Sequence, residues 1–372
     1  MDPVLSAFRP SQPIAAHEQI ADHLRQQILG GTLAPGARLP TTQELARQWA
    51  VTVTTIQTAL APLVKEGLLR RRPRVGTIVC EPAAAAKRIG LYRPSDPARE
   101  SRDHYARRVA GVIAAKLGET GIATTYFTDF RPEAEQVTPP PELLHAVRTR
   151  QLDAVIATEC NRRVAPWLAQ LPIPTAASGS DRGTTEVTED QGQFARDGVA
   201  DLVARGCRSI GLISALTADQ TYDDGTPHVH RELYDSFLTS VAAAGIVTRP
   251  EWIHTPPPGH TILEPDAERF GYDGVRRVYA GPERPDGLLV FSDVVARGVI
   301  MGLLTLMADG APAPRLVLHR NSAIGLFSPL PADFLENSID SVADALLAHI
   351  AAQREGRPTT FTKLPYRLIR GA

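Results

Sequence analysis

A cluster of four arginines is the first feature of this sequence with the residue types and spacing for chemistry. Arg70, Arg71, Arg72 and Arg74 lie in the stretch LLRRRPRVGTIV. Residues 1–80 contain nine Lys/Arg and five Asp/Glu, a net charge of +4, whereas the remaining residues contain 31 and 36, a net charge of −5. Because guanidinium groups attract phosphate, the cluster favours contact with nucleic acid, although a solvated surface is the alternative.

Three helices are predicted upstream of the arginines, and they would position the cluster. Thr41 and Glu44 have the S/T-x-x-E spacing of a capping box, so the second helix should begin there. The first helix should end at Gly30 or Gly31. Apolar residues at helical spacing mark the three helices: Ile20, Leu24 and Ile28, then Leu45 and Trp49, then Ile56, Leu60, Leu63 and Val64.

The third helix, in VTVTTIQTAL, carries no charged side chain. Its apolar spacing leaves Val53, Thr54, Gln57 and Thr58 pointing away from the core. Two β-prone runs, LLRRR and TIVC, follow and are joined by PRVG, which predicts a basic hairpin. Three helices followed by a hairpin form a winged helix.

The stretch PGARLPTTQELARQWAVTVTTIQTALAPLVKEGLLRRRPRVGTIV resembles the DNA-binding domain of the GntR (gluconate repressor type) family of bacterial transcription regulators. The resemblance covers residues 12–80 and includes the family's P-G-x-x-L-P, E-L-A, E-G-L and G-T elements. It implies a domain that binds double-stranded DNA. The residues expected to contact DNA are Gln43, Thr52, Val53, Thr54, Thr55, Gln57, Lys65, Arg70, Arg71, Arg72, Arg74 and Gly76.

Three arginines that commonly approach DNA in this family are replaced here by Gln43, Val53 and Gln57. We therefore expect the hairpin arginines, Lys65 and the helix N-termini to bind phosphate. The glutamines would pair with adenine, and Val53 and Thr54 would touch thymine methyl groups. This division of labour predicts an operator rich in A·T contacts. The alternative is a domain that has decayed into a scaffold.

The remainder of the chain has the organisation of an α/β protein. Residues 81–87 are expected to form a linker between a winged helix at 1–80 and a core at 88–372. Within the core, strand-like runs such as RIGLY, DAVIAT, SIGLISA, GLLVF and RLVLH alternate with amphipathic helices such as QFARDGVADLVARG and DVVARGVIMGLLTLMADG. This alternation predicts parallel sheets flanked by helices, in two lobes.

Residues 88–370 resemble the effector-binding core of the LacI/GalR regulators, which is similar to periplasmic sugar-binding proteins. The resemblance depends on DLVARGCRSIGLIS, HRELYDSFLTSVAAAGI and, most specifically, RPDGLLVFSDVVARGVIMGL. It implies that Arg231 and Asp293 line a cleft between the lobes and bind a polyol, since a guanidinium donates and a carboxylate accepts. The alternatives are an ion pair with Asp235 for Arg231 and a helix N-cap for Asp293.

Four further residues are weaker candidates for the ligand site. Asp96 follows the first core strand, Glu159 follows DAVIAT, and Asp190 lies where the chain is expected to cross between lobes. Asn321, in LHRNSA, occupies the place where the family usually has an acid.

Several classes of function are disfavoured. The sequence has no G-x-S-x-G, G-x-x-x-x-G-K, H-E-x-x-H or C-x-x-C motif, so we expect neither an enzyme nor a cofactor. His228 and His230 near Asp223 and Asp224 suggest a metal site only weakly, and none is predicted. Because there is no apolar run of membrane-spanning length and no signal segment, and because three cysteines are widely spaced, we expect a cytoplasmic protein that does not enter a membrane.

The combined expectation is a ligand-responsive transcription regulator, most simply a repressor. It should bind a palindromic operator as a homodimer and hold a small polar ligand, with a sugar as the leading class. The alternative is a sugar-binding protein with a vestigial DNA reader.

Overall fold

The computed structural model describes residues 15–29, 32–65, 68–72, 76–80, 88–94, 104–158, 160, 163–179, 187–216, 229–257, 262 and 266–371. The described residues group into two compact units. The first draws on 1–90, 118–125 and 141–153, and the second on 91–117, 126–140 and 154–372. The predicted domain bounds at 80/81 and 87/88 stay a prediction.

In the described part of residues 15–80, three helices precede a hairpin. These elements are α1 (Ala16–Leu29), α2 (Thr42–Gln48), α3 (Val53–Lys65), β1 (Leu69–Arg72) and β2 (Gly76–Val79). The predicted apolar positions of all three helices pack into one core, in which Val64 is only partly buried. The winged-helix prediction is confirmed, and Gly30 and Gly31 lie outside the described residues.

The start of α2 is fixed by local hydrogen bonds. The Thr41 backbone N–H donates to Glu44 Oε2 at 2.7 Å, and the Glu44 N–H donates to Thr41 Oγ1 at 3.2 Å. This confirms the capping box, which satisfies backbone donors that the first turn leaves open. The helix ends at Gln48, Trp49 is its C-cap, and Ala50 follows with φ 54°.

The hairpin of β1 and β2 is antiparallel. Its register pairs Leu69 with Val79, Arg70 with Ile78, Arg71 with Thr77 and Arg72 with Gly76. Leu69 and Val79 are buried against the helices, whereas the three arginines of β1 are exposed. The basic hairpin is therefore confirmed for 69–72 and 76–79, and residues 73–75 lie outside the described range.

A four-stranded sheet is formed, in the order β4-β3-β5-β6, among the described strands. The strands are β3 (Arg88–Pro94), β4 (Ala123–Asp129), β5 (Ala154–Ala157) and β6 (Thr175–Ala177), and β5 and β6 are parallel. In the chain they alternate with α4 (His104–Glu119), α5 (Pro141–Arg148) and α6 (Ala165–Leu168).

A six-stranded sheet occupies the C-terminal half of the second unit, in the order β14-β12-β11-β10-β8-β9. Its neighbouring strands are parallel except for β14, which is antiparallel to β12. The strands are β8 (Ile210–Ser214), β9 (Ile253–His254), β10 (Gly287–Phe291), β11 (Arg315–Asn321), β12 (Ala332–Asn337) and β14 (Arg367–Ile369).

Helices cover both faces of this sheet. Leu288 and Val290 pack in one apolar cluster with α9 (Asp266–Val278) and α10 (Asp293–Ala308). Leu289 and Phe291 pack in another with α7 (Gln191–Ala204) and α8 (Val229–Ala243). Because successive strand residues face opposite sides, burial on both faces explains why GLLVF is continuously apolar.

The predicted α/β architecture is confirmed, and several elements are additional to it. These are β7 (Val187–Glu189), β13 (Thr362–Leu364), β12, β14 and α11 (Ile339–Arg354). β7 and β13 form a parallel pair. The stretch EWIH contributes only the two-residue strand β9, because Pro250–Trp252 form a 3₁₀ turn before it. Among the described helices, none has the length and apolar character to cross a membrane.

Candidate functional site

The outer face of α3 presents uncharged side chains to solvent. Val53 is 38% exposed, and Thr54 and Gln57 are also exposed. Gln43, on α2, is exposed as well. Among the described residues, the side chains of Gln43, Thr54 and Gln57 have no hydrogen-bond partner. The outward position of Val53, Thr54 and Gln57 agrees with the sequence prediction, and their contact with DNA stays a prediction.

Two other predicted DNA contacts help to build the helix. Thr52 Oγ1 accepts from the Thr55 backbone N–H at 3.1 Å, and the two hydroxyl oxygens are 2.8 Å apart. Thr52 thus caps the first turn of α3. Thr58 is exposed, as expected, but its hydroxyl donates to the Thr54 carbonyl at 2.9 Å.

The hairpin supplies positive charge beside this helix. Arg70, Arg71 and Arg72 are exposed, and Gly76 starts the second strand with φ +106°. Arg74 and the side chain of Lys65 lie outside the described residues. The described part of the winged helix therefore combines an uncharged helix face with a basic hairpin.

Candidate ligand residues of the core lie at the carboxyl ends of parallel strands. Asp293 is two residues beyond the end of β10, and Asn321 ends the neighbouring strand β11. Both residues are buried. Ligands in α/β proteins commonly bind at this edge of the sheet. The alternative role of Asp293 as a helix N-cap is wrong, because Ser292 occupies that position.

Asn337 connects the buried Asn321 to a polar network that is partly buried. Its amide Nδ2 has two hydrogens to donate, and three acceptors lie within hydrogen-bonding distance: Asn321 Oδ1 at 3.1 Å, Tyr105 Oη at 3.1 Å and Glu189 Oε1 at 3.2 Å. Tyr105 Oη also donates to Glu189 Oε1. Burial, and then the Glu189 carboxylate, raise the pKa of Tyr105. The hydroxyl therefore stays protonated and can remain a donor.

Arg231 and Asp190 are engaged in local contacts. Arg231, in the first turn of α8, pairs with Asp235 at 3.2 Å on a partly exposed surface. This ion pair is the alternative role proposed for Arg231. Asp190 caps α7 by accepting from the Gln193 N–H at 2.8 Å, and Lys363 Nζ lies 4.0 Å from its carboxylate. A ligand would have to compete with these bonds.

An aromatic cluster lies next to Asp293. The ring of His319 is 4.5 Å from Phe291 and 5.6 Å from Tyr366, and Phe194 contacts all three. Burial lowers the pKa of His319 to about 4, and its Nδ1 atom has no hydrogen-bond partner among the described residues. Burial raises the pKa of Tyr366, and Glu189, Asp190 and Asp293 add to this.

The other candidates are not described. Asp96 and Glu159 lie outside the described residues, as do Asp223, Asp224, His228 and the side chain of His230. Within the described part of the chain, no group of three or more His, Cys, Asp or Glu is placed to hold a metal ion.

Comparison with known proteins separates the two parts of the chain. Residues 16–79 match the family model described as bacterial regulatory proteins, gntR family. The HTH-type transcriptional repressor NagR of Bacillus subtilis (strain 168) is 41% identical over 79 residues, which are 21% of this chain and 32% of NagR. Residues 16–79 form a GntR-type winged helix. The chain spans about a third of the length of the curated relatives it matches.

The core, beyond the GntR-type winged helix, is similar to regulators of LacI type in its fold. The Cra transcriptional dual regulator from Pseudomonas putida, solved with fructose 1-phosphate, has a TM-score of 0.56 at 18% identity, covering 77% of this chain and 99% of that one. A LacI family transcriptional regulator from Lactobacillus casei, with bound sucrose, has a TM-score of 0.53 at 20% identity and the same coverage. These proteins are regulators, not enzymes. The predicted combination is therefore confirmed as a GntR-type winged helix and a core with the fold of LacI-type regulators.

Sequence reasoning missed several residues of the core site. Tyr105, Glu189, Asn337, His319 and Tyr366 were not predicted to belong to it. The one available signal was the position of Asn337 at the end of the short stretch ADFLEN, because a polar residue at a strand end is a common ligand-binding position. The others come together only through contacts between distant parts of the chain.

Proposed function

We propose that this protein is a ligand-responsive transcription regulator that binds double-stranded DNA as a homodimer. One observation carries the proposal: a GntR-type winged helix with an exposed, unpartnered reading face is joined in one chain to a core with the LacI-type fold. Fold alone does not define function, so the polar residues at the strand ends of the core are the second support. DNA binding places the protein in the cytoplasm.

On the DNA side, the reading face and the hairpin have different tasks. Gln43 and Gln57 each offer an amide that can donate to and accept from adenine, and Val53 and Thr54 offer methyl groups to thymine. Arg70, Arg71, Arg72 and Arg74 supply phosphate attraction, together with Lys65. Thr52, Thr55 and Gly76 shape the surface and bring backbone close to DNA. The operator should then contain A·T pairs where α3 contacts it.

A dimer accounts for affinity and for operator symmetry. A single winged helix neutralises few phosphates, whereas two copies double the number of contacts and read two half-sites. A two-fold symmetric dimer matches a palindromic sequence. Half-sites should therefore be separated by about one helical turn, or by a multiple of it.

On the ligand side, we propose a small polar molecule, with a sugar as the leading class. Arg231 donates to its oxygen atoms, and Asp293 and Asn321 bind its hydroxyl groups at the strand ends, with Asp190, Asp96 and Glu159 as further candidates. The ligand acts by binding one conformation of the core more tightly than another, which shifts the spacing of the two readers.

Selection of duplexes from random DNA by the full chain tests the DNA assignment. We expect a palindromic sequence to be enriched, with A·T pairs within each half-site. A symmetric G·C core would contradict the proposed reading by the glutamines. No enrichment, combined with ligand binding, would favour the alternative of a sugar-binding protein with a vestigial reader.

A thermal-shift screen of monosaccharides, disaccharides, uronic acids and nucleosides tests the ligand assignment. A ligand that binds only the folded state stabilises it by mass action, by about 2.7 kcal/mol when its concentration is a hundred times Kd. The melting temperature rises accordingly. Arg231→Ala should abolish the shift. Arg269→Gln, which changes an 83% exposed arginine on α9, should leave it intact. Equal shifts in both variants would contradict the role of Arg231.

A further inference from the structure

The hairpin has two distinct faces, which the sequence did not distinguish. Because strand side chains alternate, Arg71 shares a face with the buried Leu69, and Arg70 and Arg72 lie on the opposite face. Their partners Ile78 and Gly76 share that outer face. The arginines of β1 are therefore not equivalent.

A further strand-like segment extends the hairpin beside β2. The Leu39 N–H donates to the Thr77 carbonyl at 2.9 Å, and the Val79 N–H donates to the Ala37 carbonyl at 2.8 Å. Between these bonds, Arg38 is paired with Ile78 in an antiparallel bridge. Directly paired residues place their side chains on the same face, so Arg38 joins Arg70 on the outer face.

The Arg38 side chain runs towards the hairpin tip, across Gly76. A Cβ atom built on Gly76 would lie 3.0 Å from Arg38 Nε and 3.4 Å from Nη2. The missing side chain of Gly76 thus leaves the space that the guanidinium occupies. Gly76 is paired with Arg72 across the hairpin, so the Arg38 guanidinium lies over the Arg72–Gly76 pair.

The outer face of the hairpin carries positive charge, and few acidic side chains among the described residues lie near enough to neutralise it. Among the described residues, Arg38, Arg70 and Arg72 form no salt bridge. The carboxylate of Glu44 acts electrostatically on Arg38, but it is held by hydrogen bonds from Thr41. Guanidinium groups on one exposed face suit the closely spaced phosphates of duplex DNA.

We propose that Arg38, Arg70 and Arg72 form one phosphate-binding face, in which Arg38 is a DNA-contacting residue outside the arginine cluster. This inference depends on the proposed function, because it assigns a task within the DNA complex. Arg38 restores positive charge next to a reading helix that lacks it. Arg71, on the other face, contributes less.

The test uses the full-length protein and the duplex that the wild-type chain enriches from random DNA. Dissociation constants are measured from 50 to 300 mM NaCl, a range chosen because phosphate contacts weaken steeply over it, on the order of tenfold or more. Arg38→Gln should weaken binding about tenfold near 100 mM NaCl and reduce the slope of log K against log salt by about one per protomer. Arg38→Lys keeps the charge and should keep the slope.

Two variants serve as matched controls. Arg71→Gln removes the same charge from the other face of the hairpin and should reduce the slope less than Arg38→Gln. Arg269→Gln removes a charge far along the chain and should not change it. Melting temperatures of all variants should equal that of wild type.

An unchanged slope in Arg38→Gln would overturn the inference, as would a larger loss in Arg71→Gln. A loss limited to some DNA sequences would also overturn it, because a phosphate contact weakens all sequences alike. If the wild-type chain enriches no DNA, the proposed function itself fails, and this is seen before any variant is made.

Discussion

The surface proposed to bind DNA and the site proposed to bind a ligand differ in what their side chains contact within the protein. Gln43, Gln57, Arg70, Arg71 and Arg72 are exposed, and their side chains form no hydrogen bond or salt bridge among the described residues. Asn321 and Asn337 are buried and hydrogen-bonded to each other. A polyanion brings its own charge to an open surface, whereas a small-molecule site must hold its polar groups in place beforehand. Substitutions should therefore affect binding in the first region and stability in the second.

Asn337→Ala should show the largest effect on stability. Loss of the amide leaves the buried Asn321 and the half-buried Tyr105 and Glu189 without their shared donor, which should lower the free energy of unfolding by about 3 kcal/mol. Urea unfolding measures this. Gln57→Ala truncates an exposed amide and should cost less than about 0.5 kcal/mol. Similar losses of unfolding free energy in the two variants would contradict the difference between the exposed surface and the polar network of the core.

His319 should make the core sensitive to acid. Burial lowers its pKa to about 4 in the folded state, from about 6.5 in the unfolded chain, so folding favours the neutral imidazole. The contribution of the neutral His319 to the free energy of unfolding is present above pH 6.5 and is lost as the pH falls towards 4. At pH 5 the loss is about 2 kcal/mol.

His319→Phe keeps an aromatic ring beside Phe194, Phe291 and Tyr366 but cannot be protonated. Its unfolding free energy should fall less between pH 7 and pH 5 than that of wild type. His254, whose pKa burial also lowers to about 4, remains in the variant and keeps part of the dependence. Identical pH profiles for variant and wild type would show that His319 does not titrate with unfolding.

Thr41→Ala should have a smaller effect on stability than Asn337→Ala, and the effect should be confined to the winged helix. Removal of the cap should weaken α2 by about 1 kcal/mol. Hydrogen exchange of the α2 amides should then be roughly fivefold faster, with exchange in the core unchanged. Thr362→Ala, on β13, is the matched threonine control. Faster exchange in the core after Thr41→Ala would contradict a local role for the cap.

The winged helix was predictable because its determinants are local. The capping box joins residues three apart, and the hairpin joins β-prone runs only a few residues apart. The face of β1 on which each arginine lies could be assigned only from the strand register. The position of Arg38 beside the hairpin depends on a β-bridge between residues 40 positions apart. Local sequence patterns therefore predicted the helices and strands, but not the face of the hairpin on which each arginine lies.

The core illustrates the opposite case. GLLVF and SIGLISA predicted buried strands correctly, because burial on both faces gives a continuous apolar run. The polar network did not follow from any pattern, since Asn337 meets Tyr105 across 232 positions and Glu189 across 148. Arg231 was assigned by resemblance, and its ion pair with Asp235 is a helical i,i+4 contact that the sequence did suggest.

The most direct test of the account compares Gln57→Ala with Arg70→Gln on the duplex enriched by the wild-type chain and on versions with single base-pair changes. We predict that Gln57→Ala loses discrimination at one A·T position, by about 1 to 3 kcal/mol, and keeps the wild-type salt slope. Arg70→Gln should weaken all duplexes alike and reduce the slope by about one. A lower slope in Gln57→Ala, or altered base preference in Arg70→Gln alone, would contradict the division between an uncharged reading helix and a basic wing.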